Sequence, residues 1–380
     1  MDFTFTEEQK MIRDTAREFA QAEIAPTAIE RDIEAKFPTD IIKKLGELGF
    51  MGMMVDPNYG GAGLDTISYV LAIIELSKVD ASVGVIMSVN NSLVCHGLNR
   101  YGTEHQKTKY LAPLASGQKL GAFCLSEPEA GSDATRQHTQ AKKVDGGWVL
   151  NGIKNWITNA ISADYYLVMA QTDAEKGHKG ITAFIVEKDY EGVSQGVKED
   201  KLGIRSSDTA TVTLQDTFVP DENVLWEVGK GFNFAMDTLN GGRIGIAAQA
   251  LGIAEASLED SIAYSKERKA FGVPIAEHQA IQFKLADMAM KLEAATLLTL
   301  KAAAQKDAGE NYIKLAAMAK AYASETAVQN ALEAIQIHGG YGYVREYKVE
   351  RYLRDAKITE IYEGTSEIQR IVISRMILKG

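Results

Sequence analysis

Glu363 stands on a glycine turn, in Ile361-Tyr362-Glu363-Gly364-Thr365-Ser366-Glu367, just ahead of an apolar helical stretch. Gly364 lets the backbone turn sharply or pass close to a ligand with no side chain in the way. Beyond it, Ile368, Ile371, Val372 and Met376 recur at helical spacing and give one apolar face. The carboxylate is thereby held outside a helix amino terminus, where exposed N–H groups can receive an anionic or carbonyl-bearing ligand. That arrangement suits a general base removing a proton from a bound substrate. Taken alone, the segment is equally an ordinary helix start.

Other segments also carry groups fit for chemistry. The run from Phe123 through Leu125, Ser126, Glu127, Gly131 and Ser132 to Asp133 passes from a strand into a loop of small and hydroxyl-bearing residues. Such a loop can direct N–H and O–H donors at a polar ring or a phosphate. Trp156-Ile157-Thr158 puts a flat aromatic surface two residues from a hydroxyl on one strand face. In the stretch from Gln336 to Tyr343, glycines let backbone approach a ligand closely. Singly, these segments read as a hairpin turn, a core tryptophan and a helix C-cap.

These groups need positioning, and the chain changes character along its length. From residue 6 to about 115 the pattern is helical. Thr6-Glu7-Glu8-Gln9 has the capping-box pattern, and Thr103-Glu104-His105-Gln106 repeats it. Ile12, Ala16, Phe19, Ala20 and Ile24 share a face that Pro26 should end. A second helix covers about 39–48, and 66–101 is apolar almost all round, as in the middle of a bundle. The glycines of 56–63 follow no strand, so that segment is expected to connect elements rather than cradle a phosphate. From about 120, short β-rich runs take over, with a hairpin signal at Asp145-Gly146-Gly147, which suggests an antiparallel sheet or small barrel. From about 231, helical segments near 232–267, 278–307, 313–338 and 365–378 read as a bundle. The expected fold is multidomain α and β: an N-terminal α-helical domain over 1–119, a middle antiparallel β domain over 120–228 and a C-terminal four-helix bundle over 229–380.

A net charge of −10 over 380 residues argues against a nucleic-acid footprint and against a basic membrane-surface patch. No apolar run is expected to reach the roughly 20 residues that span a bilayer. The amino terminus lacks the pattern of a signal peptide or an Arg-rich transit segment, so the expected location is cytoplasmic, or the mitochondrial matrix if the chain is a processed form. Cys95 and Cys124 read as buried reduced thiols. The six histidines lack metal-ligand spacing, so no metal is expected.

Together, in this order on a helix–sheet–helix frame, the segments resemble the acyl-CoA dehydrogenase family over essentially the whole chain. The matching motifs lie at 123–133, 156–160, 268–272, 336–343 and 361–370. Residues 87–93, 202–205 and 243–247 point to the short-chain (butyryl-CoA) branch. The resemblance implies FAD-dependent α,β-dehydrogenation of a short-chain acyl-CoA to trans-2-enoyl-CoA. Glu363 would take the α-proton, flavin N5 the β-hydride, and an electron-transferring flavoprotein the electrons. Flavin contacts are implied for Phe123, Leu125, Ser126, Ser132, Trp156, Ile157 and Thr158, with Thr365, Ser366 and Glu367 also against the cofactor. Arg268, Phe271, Gln279, Gln336, Gly339 and Gly340 would hold its pyrophosphate and adenosine across a subunit interface of a homotetramer. Acyl-CoA would meet Ser132, Asn240, Arg243 and Gly364. Burial of Glu363 against these ligands would raise its pKa toward the operating pH.

The family offers internal checks. Its isovaleryl and long-chain branches carry the base on a carboxyl-terminal helix just before an Arg, where this chain has Gly242 ahead of Arg243. Glutaryl-CoA dehydrogenases place an Arg for the distal carboxylate where this chain has Gly84. His338 and Asn240 depart from the more usual apolar residue and Asp. Alternatives are an acyl-CoA oxidase, usually a longer chain, a branch with another acyl preference, and a non-enzymatic DNA-binding flavoprotein of the same fold, which the acidic charge disfavours.

Overall fold

The computed structural model describes residues 4–378. Helix α1 (Glu7–Phe19) opens on the expected capping box: Gln9 N donates to Thr6 Oγ1 at 3.1 Å and Thr6 N to Gln9 Oε1 at 3.0 Å. Pro26 does not end the helical path. The chain passes through a π turn (Ala20–Ile24) and a 3-10 turn (Ala25–Thr27) and resumes as α2 (Ala28–Glu34). Pro26 sits in the first turn of a new segment, where its missing N–H would have had no partner. Next come α3 (Thr39–Glu47), α4 (Thr66–Val79) and α5 (Ala81–Ser88), which runs through a π segment (Val89–Cys95) into α6 (His96–Tyr101). Contrary to expectation, this continuous run, Ala81–Tyr101, is long and apolar enough to cross a membrane, but 94% of its apolar window is buried inside the protein. It is a core helix. The second capping box opens α7 (Glu104–Gln106), and α8 (Ala112–Ala115) completes the helical layer.

Strands β1 (Gly121–Cys124), β2 (Gln140–Val144), β3 (Gly147–Thr158), β4 (Tyr165–Gln171), β5 (Ile181–Glu187), β6 (Val193–Gln195), β7 (Thr209–Pro220) and β8 (Val224–Leu225) share one sheet. Its order is β6-β7-β3-β2-β4-β5-β8, with β1 paired to β4. The expected hairpin is present, Val144 facing Gly147. The sheet is mixed rather than purely antiparallel, since β1 runs parallel to β4 and β2 meets β4 in parallel at Gln140 and Gln171. A parallel neighbour needs a long connection, and the β2–β3 hairpin inserted between β1 and β4 supplies it. Where β3 lies against β7, the register slips between Lys154/Val212 and Ile157/Ala210, leaving one extra residue in β3. Trp156 takes a φ of 60° in this bulge and is turned outward, 61% exposed.

Helix α9 (Gly231–Glu267) leads to a hairpin of β9 (Lys269–Ala270) and β10 (Val273–Pro274), then to α10 (Gln279–Asp307), α11 (Ile313–His338), α12 (Val349–Thr359) and α13 (Ser366–Leu378). The expected four helical segments are therefore five. Buried Val349, Tyr352, Ala356 and Thr359 give α12 a helical stripe that the neighbouring glycine-rich segment obscures in the sequence. Tyr352 Oη donates to Asp260 Oδ2 of α9 at 2.8 Å, and Ser324 Oγ of α11 donates to Thr359 O at 2.8 Å. The turn between α12 and α13, which carries Glu363, is thus held from behind by the bundle.

Candidate active site

Carbonyls of the Glu363 turn are tied down one by one. Gln369 Nε2 donates to Glu363 O at 3.2 Å and to Gly364 O at 2.8 Å, and Lys320 Nζ of α11 donates to Gly364 O at 2.7 Å. Glu363 and Gly364 both lie in the left-handed region, with φ of 51° and 89°. For a non-glycine residue this conformation costs on the order of 1 kcal/mol and persists only where the surroundings fix it. The carboxylate Oε2 is buried and accepts no hydrogen bond. Burial pushes Glu363 up to about 7, while the charges of Lys320 and Arg243 pull the other way.

Helix α9 forms the facing wall. A Cβ added at Gly242 would overlap Glu363 Oε2 and stand 2.8 Å from Leu93 Cδ2. Glycine there is more than the lack of a rival base: it is the space that the carboxylate occupies. One turn on, a Cβ at Gly245 would lie 2.5 Å from both Ser88 Oγ and Tyr69 Oη. Those two hydroxyls hydrogen-bond each other at 2.9 Å. Tyr362 Oη donates to Gln249 Oε1 of the same helix.

Leu125 and Ser126 leave β1 toward the bulged strand, where Asn155 N donates to Ser126 O at 2.9 Å. Lys154, fully buried, donates to Leu125 O at 3.2 Å, Glu127 Oε1 at 2.7 Å and Gln137 Oε1 at 3.1 Å. Glu127 also accepts from His138 N at 2.5 Å and Thr139 N at 3.1 Å, which closes the loop 125–139 on itself. Substituting Lys154→Ala should cost about 3–5 kcal/mol, because a carboxylate is then left buried without its counter-charge. A lowered midpoint in thermal unfolding would report it. Trp156 stands exposed on this rim with half-buried Thr158. Phe123 and Ile157 are core residues instead, Phe123 against Phe234 at 6.1 Å between ring centroids and Ile157 only 2% exposed. Phe234 belongs to α9, and roughly two turns further on Gly242 faces Glu363, so the β1 exit and the base share one region. Ser132 lies exposed on the loop, Thr365 Oγ1 accepts from Ile368 N at 3.3 Å, Ser366 is buried with its Oγ unpartnered, and Glu367 is exposed.

A second cluster forms at the other end of α9. Exposed Arg268 lies over the Tyr341 ring at 5.6 Å, and Tyr264 stacks on His338 at 4.2 Å. His338 is a packed residue, its Nδ1 2.8 Å from Ala334 O and its pKa lowered by burial. Phe271 is 96% exposed, and Gln279 and Gln336 are exposed as well. A Cβ at Gly339 or Gly340 would meet nothing within 4 Å. This cluster is roughly 40 Å along the helix from Gly242 at the usual rise per residue. The single chain does not bring the two together. Near the first cluster, buried Arg243 donates to Asn240 Oδ1 at 2.6 Å. With an amide rather than a carboxylate at residue 240, the charge that bears most on that guanidinium is that of Glu363.

Lys320, Gln369, Gln249 and Lys154 were not anticipated from the sequence. Gln369 lies inside the 361–370 motif, and Lys320 is a lone cation among the buried alanines 316, 319, 323 and 327 of α11.

A helix–sheet–helix chain with a buried, unpartnered carboxylate oxygen between its helices has the parts for proton abstraction. Models of the N-terminal, middle and C-terminal domains of acyl-CoA dehydrogenase match residues 6–118, 122–217 and 229–378. The chain belongs to the acyl-CoA dehydrogenase family. It is 50% identical over 379 residues to a short-chain-specific acyl-CoA dehydrogenase of Clostridium acetobutylicum, covering 100% of both chains. Its fold matches that of butyryl-CoA dehydrogenase from Megasphaera elsdenii with a TM-score of 0.98, at 49% identity and 100% coverage of both. A chain in a structure described as an electron transferring flavoprotein of Acidaminococcus fermentans matches with a TM-score of 0.99, at 51% identity and 100% coverage of both.

Proposed function

We propose that this protein is an FAD-dependent short-chain acyl-CoA dehydrogenase, converting butyryl-CoA-like thioesters to trans-2-enoyl-CoA and passing electrons to an electron-transferring flavoprotein. The observation that carries this is Glu363, whose Oε2 is buried and unpartnered, whose pKa is raised to about 7, and which is set against the bare backbone of Gly242. Glu363 accepts the α-proton of the thioester, Gly242 leaves room for its carboxylate, and Gly364 lies beside the thioester. The residues present suit FAD. Trp156 and the Leu125–Ser126 loop offer an aromatic wall and polar contacts to a ring, while Arg268 and the open backbone at Gly339 and Gly340 suit a pyrophosphate. When bound, FAD supplies the acceptor for the β-hydrogen. Because the two clusters lie at opposite ends of α9, a second copy of the chain completes each cofactor site, as a homotetramer provides. Ser132, Asn240 and Arg243 border the CoA chain. Three domains, divided near residues 120 and 228, carry these parts.

A short, unbranched tail is supported by the packing. Gly245 lies hard against Tyr69 and Ser88, and a side chain at Gly84 would overlap Ser77 Oγ, leaving no place for the cation that a dicarboxylyl tail needs. A cytoplasmic location is supported by two buried free thiols.

Purified protein should contain FAD and bleach anaerobically with butyryl-CoA more fully than with hexanoyl-, octanoyl- or isovaleryl-CoA. Bleaching by none of them would overturn the proposal, and rapid reoxidation by an oxygen pulse would favour an oxidase. The pH dependence has a definite sign. The base works ionised, so kcat/KM should fall about tenfold per unit as pH drops below about 7.

A further inference from the structure

The proton transfer proposed above leaves one buried cation without a task. Lys320 is 0% exposed on the alanine-rich face of α11. Removing an ammonium from water is costly, yet among the described residues it pairs with no carboxylate by direct contact. Its Nζ donates to the carbonyl of Gly364, the residue after the base, at 2.7 Å. The groups that face Glu363 come from several elements: Lys320 from α11, Arg243 from α9, Tyr69 from α4, and Tyr362 from the turn itself. Both tyrosines are held neutral by burial. Glu360 at the end of α12, Glu367 at the start of α13 and Arg243 also face Lys320.

We propose that Lys320 is a positioning residue that anchors the Gly364 carbonyl and whose through-space charge keeps the neighbouring base ionised at working pH. This rests on the reading of Glu363 as the base. A direct Lys–Glu ion pair would occupy the lone pair that must take the substrate proton. Directing the ammonium to the adjacent carbonyl keeps Oε2 free while its field still opposes the effect of burial. Burial by itself favours the protonated form of a carboxyl, which is inert as a base. Glu363 instead sits at about 7, with Lys320 first among the groups lowering it, and Lys320 is brought down to about 8 by the same burial.

The test uses the flavin-loaded protein with Lys320→Gln, Lys320→Met and Lys320→Arg. One readout is the infrared titration of the Glu363 carboxyl, identified as the band absent from Glu363→Gln. The other is the acid limb of kcat/KM for butyryl-CoA. Both midpoints should move up by about one pH unit in the Gln and Met variants, a tenfold change in proton affinity. They should stay within a few tenths of wild type in Lys320→Arg, whatever happens to kcat. Unmoved midpoints in Lys320→Gln, even with a lowered rate, would make Lys320 a loop anchor only and overturn the proposal. Should the neutral variants fail to fold, a midpoint raised by the same unit in Lys320→Arg would overturn it equally. An acid limb that persists in Glu363→Gln removes the base reading and this proposal together, whereas a limb unmoved only in the Lys320 variants removes this proposal alone.

Discussion

Glu363→Gln should yield a folded, flavin-containing protein that binds acyl-CoA and turns over roughly 10²–10⁴ times more slowly, the usual range for loss of a general base. Glutamine keeps the shape of the side chain, so Gly242, Leu93 and the turn carbonyls lose no packing, while the group that accepts the proton is gone. Single-turnover bleaching by butyryl-CoA measures the effect, and a near-normal rate would remove Glu363 from the chemistry. The same substitution carries a stability signature. The folded-state pKa of Glu363 is raised from 4.5 to about 7, so the folded protein holds that proton where the unfolded chain has lost it. The contribution to stability is present below pH 4.5 and is lost as pH rises through about 7. Glu363→Gln should therefore unfold at a higher temperature than wild type at pH 8, with the difference vanishing at pH 4.

Gly242→Ala is expected to be nearly as damaging, by a different route. In a solvent-facing helix interior this change stabilises by about 1 kcal/mol. Here the added methyl would overlap Glu363 Oε2, so either the carboxylate or the α9 backbone must shift. Displacement of a reacting group by about 1 Å costs about 100-fold in rate. The distinguishing pattern is a fall of that size in kcat with flavin still bound. Wild-type kcat in the purified variant would show that the base does not face this helix position.

The base turn and the loop after β1 could be read from the sequence because each declares itself within a few residues, whereas Gly242 stands out only through the family resemblance and the outward turn of Trp156 is set by a bulge against β7. The capping boxes at Thr6 and Thr103 and the Asp145-Gly146 turn are local in the same sense. What was not legible depends on neighbours far along the chain. The parallel placement of β1 beside β4 is set by a hairpin inserted between them, and α12 is defined by contacts to α9 and α11 across an intervening glycine-rich stretch. Phe123 and Ile157 sit inside motifs that resemble cofactor contacts, but the bulge before Ile157 and the packing of Phe123 on Phe234 turn both side chains inward. Lys320 carries no local sign of its position, since a lysine on an alanine-rich helix ordinarily faces water.

The length of α9 carries a consequence for how the cofactor is retained. If the proposed ring-binding and pyrophosphate-binding groups lie toward its two ends, flavin affinity becomes a property of the assembled protein rather than of one polypeptide. Assembly and cofactor binding then strengthen each other by mass action. On that arrangement, dilution that separates subunits should also release flavin, and flavin scarcity should loosen the assembly. A substitution far from any reacting atom, at a surface where subunits meet, would then present itself as an apparent defect in cofactor binding.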